Sequence, residues 1–128
     1  FNKGIEVVVL PNLYGDIVTD VAAEHQGGLG TASSSNIGNR YAMFEAIHGT
    51  APYLMEHGRG SYADPCSLIR AVGMLLAHIG YGSRKAILDR ALDICTVEER
   101  RLVVTTDVDG ASAAEFTDYL LETIDRLK

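Results

Sequence analysis

Residues 5–20 read Ile5-Glu6-Val7-Val8-Val9-Leu10-Pro11-Asn12-Leu13-Tyr14-Gly15-Asp16-Ile17-Val18-Thr19-Asp20. Ile5 to Leu10 is a short, Val-rich apolar run, the pattern of a strand buried on both faces of a parallel sheet. Pro11 and Asn12 end it. The spacing then predicts a helix from Asp16, as N-cap, to about Gln26, with Ile17, Val18, Val21 and Ala22 inward. One helical turn separates Asp16 from Asp20, so both carboxylates point the same way. Two readings fit this pair. Asp16 caps the helix and Asp20 complements the macrodipole in its first turn. Alternatively, the two are oxygen ligands for Mg²⁺ or Mn²⁺, which take one or two protein carboxylates and fill the remaining positions with water and substrate.

Outward from this stretch, Gly27, Gly28 and Gly30 break the helix, and Thr31 to Asn39 is small, polar and loop-like. Ala42 to Ile47 reads as a second buried strand, and His48 to Gly60 as a long loop. Asp64-Pro65 opens a helix, with Asp as N-cap and Pro at the first helical position. Leu68, Ile69, Val72, Leu75, Leu76 and Ile79 form its stripe, and Gly80 ends it. Ser83 to about Cys95 reads as another helix with Ile87, Leu88, Ala91 and Leu92 inward, and Leu102 to Thr105 as a short extended piece. Ser112 and Glu115 form a capping box for a last helix carrying Phe116, Tyr119, Leu120, Ile124 and Leu127. Helices and strands in mixed order imply an α/β layer architecture. Two or three strands are a thin sheet for about four helices, so the sheet is expected to be incomplete in this chain.

The chain has 128 residues, enough for one modest domain with a core. Its net charge of −6 argues against binding nucleic acid through phosphates, and no apolar run is long enough for a membrane span. Cys66 and Cys95 stand alone, without CxxC spacing, and read as reduced core thiols of a cytoplasmic protein. The first residue is Phe1 rather than Met, as in a processed or truncated product. Gly27-Gly28-Leu29-Gly30 lacks the spacing of a phosphate-binding fingerprint and by itself is a helix stop. His48-Gly49-Thr50-Ala51-Pro52 follows a strand, where α/β proteins bind ligands, and suits either a nucleotide or a structural turn.

In order, N-L-Y-G-D-I-V-T-D (12–20), G-G-L-G (27–30), N-I-G (36–38), F-E-A-I-H-G-T-A-P (44–52) and T-x-D-x-x-G (105–110) resemble the isocitrate/isopropylmalate dehydrogenase family. The likeness runs from Val7 through the last helix. It implies the C-terminal part of a two-domain α/β fold. Residues 1–27 would be the strand and metal-site helix of the small domain, at a dimer interface, and 28–128 part of the large cofactor-binding domain. It implies oxidative decarboxylation of a 2-hydroxy acid, with Mg²⁺ or Mn²⁺ and with NAD, or alternatively NADP. The form of F-E-A-I-H-G-T-A-P favours isocitrate over 3-isopropylmalate. By the same resemblance Asp16 and Asp20 are metal ligands. Leu29 and Gly30 lie near the cofactor's phosphates and ribose, Glu45 near the nicotinamide ribose, and His48, Gly49, Thr50 and Ala51 around the adenosine half. Asp64 stands against the adenine ring.

This sequence departs from the family's pattern at Tyr53, where NAD-using members tend to carry Asp and bacterial NADP-using ones Lys. It departs again at Asp64, which replaces Asn and loses an amide donor. Thr31 stands where an apolar residue is usual, and the loop from His48 to Asp64 is a few residues longer. The family's substrate-binding arginines, catalytic Tyr and Lys and third metal-binding Asp have no counterpart in residues 1–128, so no catalytic residue is named and the isolated chain is expected to be inactive. A homodimer or an N-terminal complement is the expected partner, with no nucleic acid or membrane. A regulatory subunit or a dimerisation remnant of the same family are the alternative readings. Exposed apolar surface is expected where further strands would sit.

Overall fold

The computed structural model describes residues 7–26 and 32–128. Its elements are α1 (Asn12–Gln26), β1 (Ser33–Ile37), β2 (Ala42–Ala46), α2 (Pro52–Glu56), a 3₁₀ turn (Gly60–Tyr62), α3 (Cys66–His78), α4 (Gly82–Asp93), a π-helical turn (Ile94–Glu98) and α5 (Ala113–Arg126). Mixed helix and sheet agree with the α/β expectation, but the sheet differs from it. β1 and β2 form a two-stranded antiparallel hairpin, with Ile37 opposite Ala42 and Ser33 opposite Ala46. Its turn closes through the Gly38 N–H, which donates to the Tyr41 carbonyl at 2.9 Å.

The core lies among α3, α4, the π turn and α5. Cys66, Ala91, Leu92, Cys95, Phe116, Tyr119 and Leu120 are buried there, and Leu88, Leu102, Val104 and Ile124 pack around them. The inward face expected of α4 and that of α5 are both realised. The Ser112 hydroxyl accepts the Glu115 N–H and the Glu115 carboxylate accepts the Ser112 N–H, so the capping box forms. Gly80, at φ +91°, ends α3: its N–H bonds the Ala77 carbonyl and the Tyr81 N–H reaches back to Leu76.

The hairpin packs on α3. Along β2 the side chains alternate, so Ala42, Phe44 and Ala46 turn inward while Met43 and Glu45 face solvent. This is a sheet with one covered face, and the expected two-sided burial is not found. The Ser33 hydroxyl donates to Met74 Sδ at 3.1 Å, the Ser67 hydroxyl donates to the Ala32 carbonyl, and Phe44 lies 5.4 Å from the His78 ring. These contacts explain why Ser33–Ile37, read as a loop, is a strand: the pairing and the serine hydroxyls supply what strand propensity lacks.

Further expectations change. Val7 to Leu10 is exposed and in no sheet; Ile5 and Glu6 lie outside the described residues. α1 begins at Asn12, with the Gly15 N–H bonding the Pro11 carbonyl, so Asp16 sits inside the helix and is not its N-cap. The α1 stripe stays exposed, at 53% for Ile17, 47% for Val18 and 57% for Val21, while Ala23 is buried. In α3 likewise, Leu68, Val72, Leu75 and Ile79 remain exposed and the residues buried are Cys66, Ser67, Ala71 and Gly73. The long loop after His48 contains α2, which starts where Pro52 takes the first helical position. Finally, α4 ends at Asp93, close to the expected Cys95, and an unforeseen π turn continues from it to Glu98.

Candidate cofactor and metal site

Asp16 and Asp20 lie one turn apart on α1, and both are exposed. They join no other His, Cys, Asp or Glu in a group of three among the described residues. The pair supplies two hard oxygen donors on one helix face, which suits Mg²⁺ or Mn²⁺ as a part of its coordination shell. A cation there would draw its remaining ligands from outside the described residues or from water. The Thr19 hydroxyl between them donates to the Gly15 and Asp16 carbonyls at 2.8 and 3.0 Å.

The nucleotide candidates gather elsewhere. β2 is antiparallel to β1, so Ala46 lies opposite Ser33, next to Ala32, whose carbonyl takes the hydroxyl of Ser67 in the first turn of α3. The carboxyl end of β2, and with it His48, therefore falls at the same end of α3 as Asp64. Glu45 faces solvent and accepts from Asn36 Nδ2 at 3.0 Å. His48, Gly49, Thr50 and Ala51 are exposed, and open space surrounds Gly49 where a Cβ would project. Ala51 adopts the left-handed region at φ 48°, ψ 61°, and its carbonyl accepts the Leu54 and Met55 N–H groups as α2 begins. The loop thus presents an exposed backbone, which fits the approach of a nucleotide. Leu29 and Gly30, together with the Gly27–Gly28 helix stop and Thr31, lie outside the described residues.

The two departures noted in the sequence have structural counterparts. Tyr53 is exposed and stacks on His57, with ring centroids 4.1 Å apart. Asp64 Oδ1 accepts the Cys66 N–H at 2.8 Å and so caps α3 from one residue further out than expected, Pro65 being the N-cap and Cys66 the first helical residue. Asn would offer the same acceptor, so the replacement preserves the cap. Burial first, and then the neighbouring Asp64 carboxylate, push the Cys66 thiol well up from its ordinary range. Cys66 and Cys95 are both buried and free, as read from their spacing.

Two features were not read from the sequence. Arg59 reaches from the loop to the turn before α5: Nε and Nη2 donate to the Thr106 carbonyl at 3.1 and 2.7 Å, and Nη2 pairs with Asp107 Oδ2 at 2.9 Å. No periodicity signals such a contact, since the partners are 47 residues apart. The second is a cleft of about 440 Å³ beside Asp64 and Cys66, bordered by Arg70, Arg100, Val103 and Phe116. Arg70 Nε is buried there with no hydrogen-bond partner among the described residues.

The sequence model of the isocitrate/isopropylmalate dehydrogenase family matches residues 2–124. The chain belongs to this family. A Rickettsia typhi protein named isocitrate dehydrogenase [NADP] is 49% identical over 86 residues, 67% of this chain and 17% of its own length. A Dictyostelium discoideum protein, named as a mitochondrial regulatory subunit of isocitrate dehydrogenase [NAD], is 43% identical over 122 residues, 94% of this chain and 33% of its own. The crystal structure of isocitrate dehydrogenase from Methylococcus capsulatus superposes with a TM-score of 0.79 at 34% identity, covering 88% of this chain and 33% of that one. The chain thus spans a third or less of the length of these family members. The arrangement of helices around a short sheet is accordingly one that occurs within the two-domain dehydrogenase fold.

Proposed function

We propose that this chain acts as the C-terminal portion of a metal-dependent, NAD(P)-linked decarboxylating dehydrogenase of 2-hydroxy acids, with isocitrate preferred over 3-isopropylmalate and NAD over NADP. The observation carrying this reading is the Asp16–Asp20 pair, aligned on one exposed face of α1 in a chain of this family. Asp16 and Asp20 would hold Mg²⁺ or Mn²⁺ through carboxylate oxygens. A cation bound there supplies Lewis-acid polarisation of substrate oxygens. Glu45, His48, Gly49, Thr50, Ala51 and Asp64 would line the nucleotide's adenosine and ribose side, where the exposed loop backbone offers hydrogen bonds. Proton transfer and substrate clamping fall to groups outside these 128 residues, so the chain alone should not turn over. The acidic α1 face and the exposed stripe beside it fit a subunit contact, in a homodimer or with an N-terminal complement. The two buried free thiols support the cytoplasm as its compartment.

Binding of Mn²⁺, followed by electron paramagnetic resonance, tests the metal assignment. Asp16→Asn and Asp20→Asn should each weaken Mn²⁺ binding at least tenfold, roughly the loss of one charged ligand interaction. Unchanged affinity in both variants would reject the assignment and support the dimerisation remnant. A regulatory subunit is the second reading, favoured by the Dictyostelium relative's match to 94% of this chain. It predicts metal binding without turnover on any 2-hydroxy acid.

A further inference from the structure

The cleft of about 440 Å³ beside α3 is bordered by two arginines, Arg70 and Arg100, and by one carboxylate, Asp64. In a chain of net charge −6 it gathers the minority charge. Around the π turn three other guanidiniums are satisfied: Arg90 pairs with Glu98, Arg101 with Glu122 at 2.7 Å and Arg126 with Glu99 at 3.1 Å. The two at the cleft are not. Arg70 Nη2 stands 3.9 Å from Asp93 Oδ1, beyond hydrogen-bond reach, and Arg70 Nε is buried with no partner among the described residues. Arg100 joins no ion pair among the described residues. A buried donor left unpaired is costly, so an oxygen brought to Arg70 is bound with gain.

The cleft is also firmly built. Arg100 lies at φ +46°, which a residue with a Cβ adopts only where its surroundings enforce it. Both neighbours supply that constraint. The Glu99 N–H bonds the Ile94 carbonyl at 2.8 Å, and the Glu99 carboxylate accepts the Tyr119 hydroxyl at 2.7 Å. The Arg101 guanidinium lies 4.2 Å from the centre of the Tyr119 ring. Val97, Val103 and Phe116 add an apolar wall.

A guanidinium offers a planar fork that matches two oxygens of a carboxylate or a phosphate. The volume falls in the range of small-molecule sites and exceeds what a bare ion fills, and the apolar wall suits an apolar body. We propose that the cleft is a second ligand site, for a small organic oxyanion whose charged end is held by Arg70 and Arg100. The metal pair and the His48–Ala51 loop take no part in it. Of the residues assigned to those sites, only Asp64 borders the cleft.

Calorimetric titration of the polypeptide as isolated, with phenyl phosphate, benzoate and inorganic phosphate, tests it. One of the organic anions should bind with a Kd of about 1 mM or tighter, and the better of the two tells phosphate from carboxylate. Inorganic phosphate should bind roughly tenfold more weakly, since it buries no apolar surface. Arg70→Gln and Arg100→Gln should each weaken binding about tenfold, the scale of one charge-assisted hydrogen bond. Arg84→Gln, at a separate groove beside Leu76 and Ile87, should leave it within about twofold. Added salt should weaken binding, and NAD should not displace the anion. Arg100 is exposed, so its variant keeps the test open should Arg70→Gln fail to fold. Absence of binding by both organic anions, unchanged affinity in the folded Arg70 and Arg100 variants, or displacement by NAD would overturn the second site. Inorganic phosphate bound as tightly as the organic anions would overturn the organic ligand.

Discussion

Tyr119 and Glu99 couple one corner of the core to pH. Tyr119 is buried, its hydroxyl donates to Glu99 Oε2 at 2.7 Å, and Arg126 and Arg101 approach the same corner. Burial first, and then the bond to the ionised carboxylate, push the Tyr119 phenol up to about 12. Arg126 and the Tyr119 hydroxyl hold Glu99 below the usual carboxylate range. The signs follow from linkage. Stabilisation from the raised Tyr119 is complete below its ordinary value of 10 and is lost as pH climbs towards 12. Stabilisation from the lowered Glu99 is present above the ordinary carboxylate range and is lost as pH falls through its depressed value. Phenolate absorbance should therefore show one tyrosine titrating well above the ordinary value of 10, and Glu99→Gln should bring it earlier while flattening the acid limb of the melting curve. At this scale much was legible. Ser112 and Glu115 announced their capping box because its chemistry is local. Asp16 was misread as a cap because Asn12 already lies in helical conformation, and Pro11 offers the first carbonyl.

Among the elements, the sequence pattern distinguished helices well and their partners poorly. α4 and α5 bury the faces their periodicity marks, since both partners lie within the chain. α1 and much of α3 show equally strong stripes that remain exposed. Periodicity reports that a face is made to be covered, not by what. Point substitutions should reproduce the contrast. Leu92, fully buried, should lose about 2–5 kcal/mol on replacement by Ala. Ile17→Ser, on the exposed α1 face, should change stability by no more than about 0.5 kcal/mol. Denaturant melts of the two variants check this, and a comparable loss at Ile17 would mean that α1 is covered in solution. β1 escaped the reading because Ser-Ser-Ser-Asn-Ile has no strand signature; the pairing with β2 and the hydroxyl contacts to α3 make it. The Arg59 link to Asp107 was equally hidden, being a contact across 48 positions in sequence.

Over the whole molecule, a modest core coexists with a long run of exposed apolar side chains from Val7 to Val21 and along α3. A surface of this kind, if contiguous, is the sort that a partner covers, as the proposed subunit contact would. Family membership was legible because its motifs are short contiguous strings, and the comparison over residues 2–124 agrees with them. The resemblance assigned the two halves of the candidate site to different domains, residues 1–27 and 28–128. The structure gathers Glu45, the His48 loop and Asp64 at one end of α3, and leaves Asp16 and Asp20 on α1 without a third ligand among the described residues. The central claim is that these halves serve one dehydrogenase. Its most direct test is NAD reduction, read at 340 nm, by the polypeptide carrying this sequence as isolated from its source. The account predicts reduction that requires isocitrate and Mg²⁺ or Mn²⁺, proceeds faster than with 3-isopropylmalate, and disappears in Asp20→Asn. Absence of nucleotide reduction with every 2-hydroxy acid tried, in a preparation that still binds Mn²⁺, would contradict it.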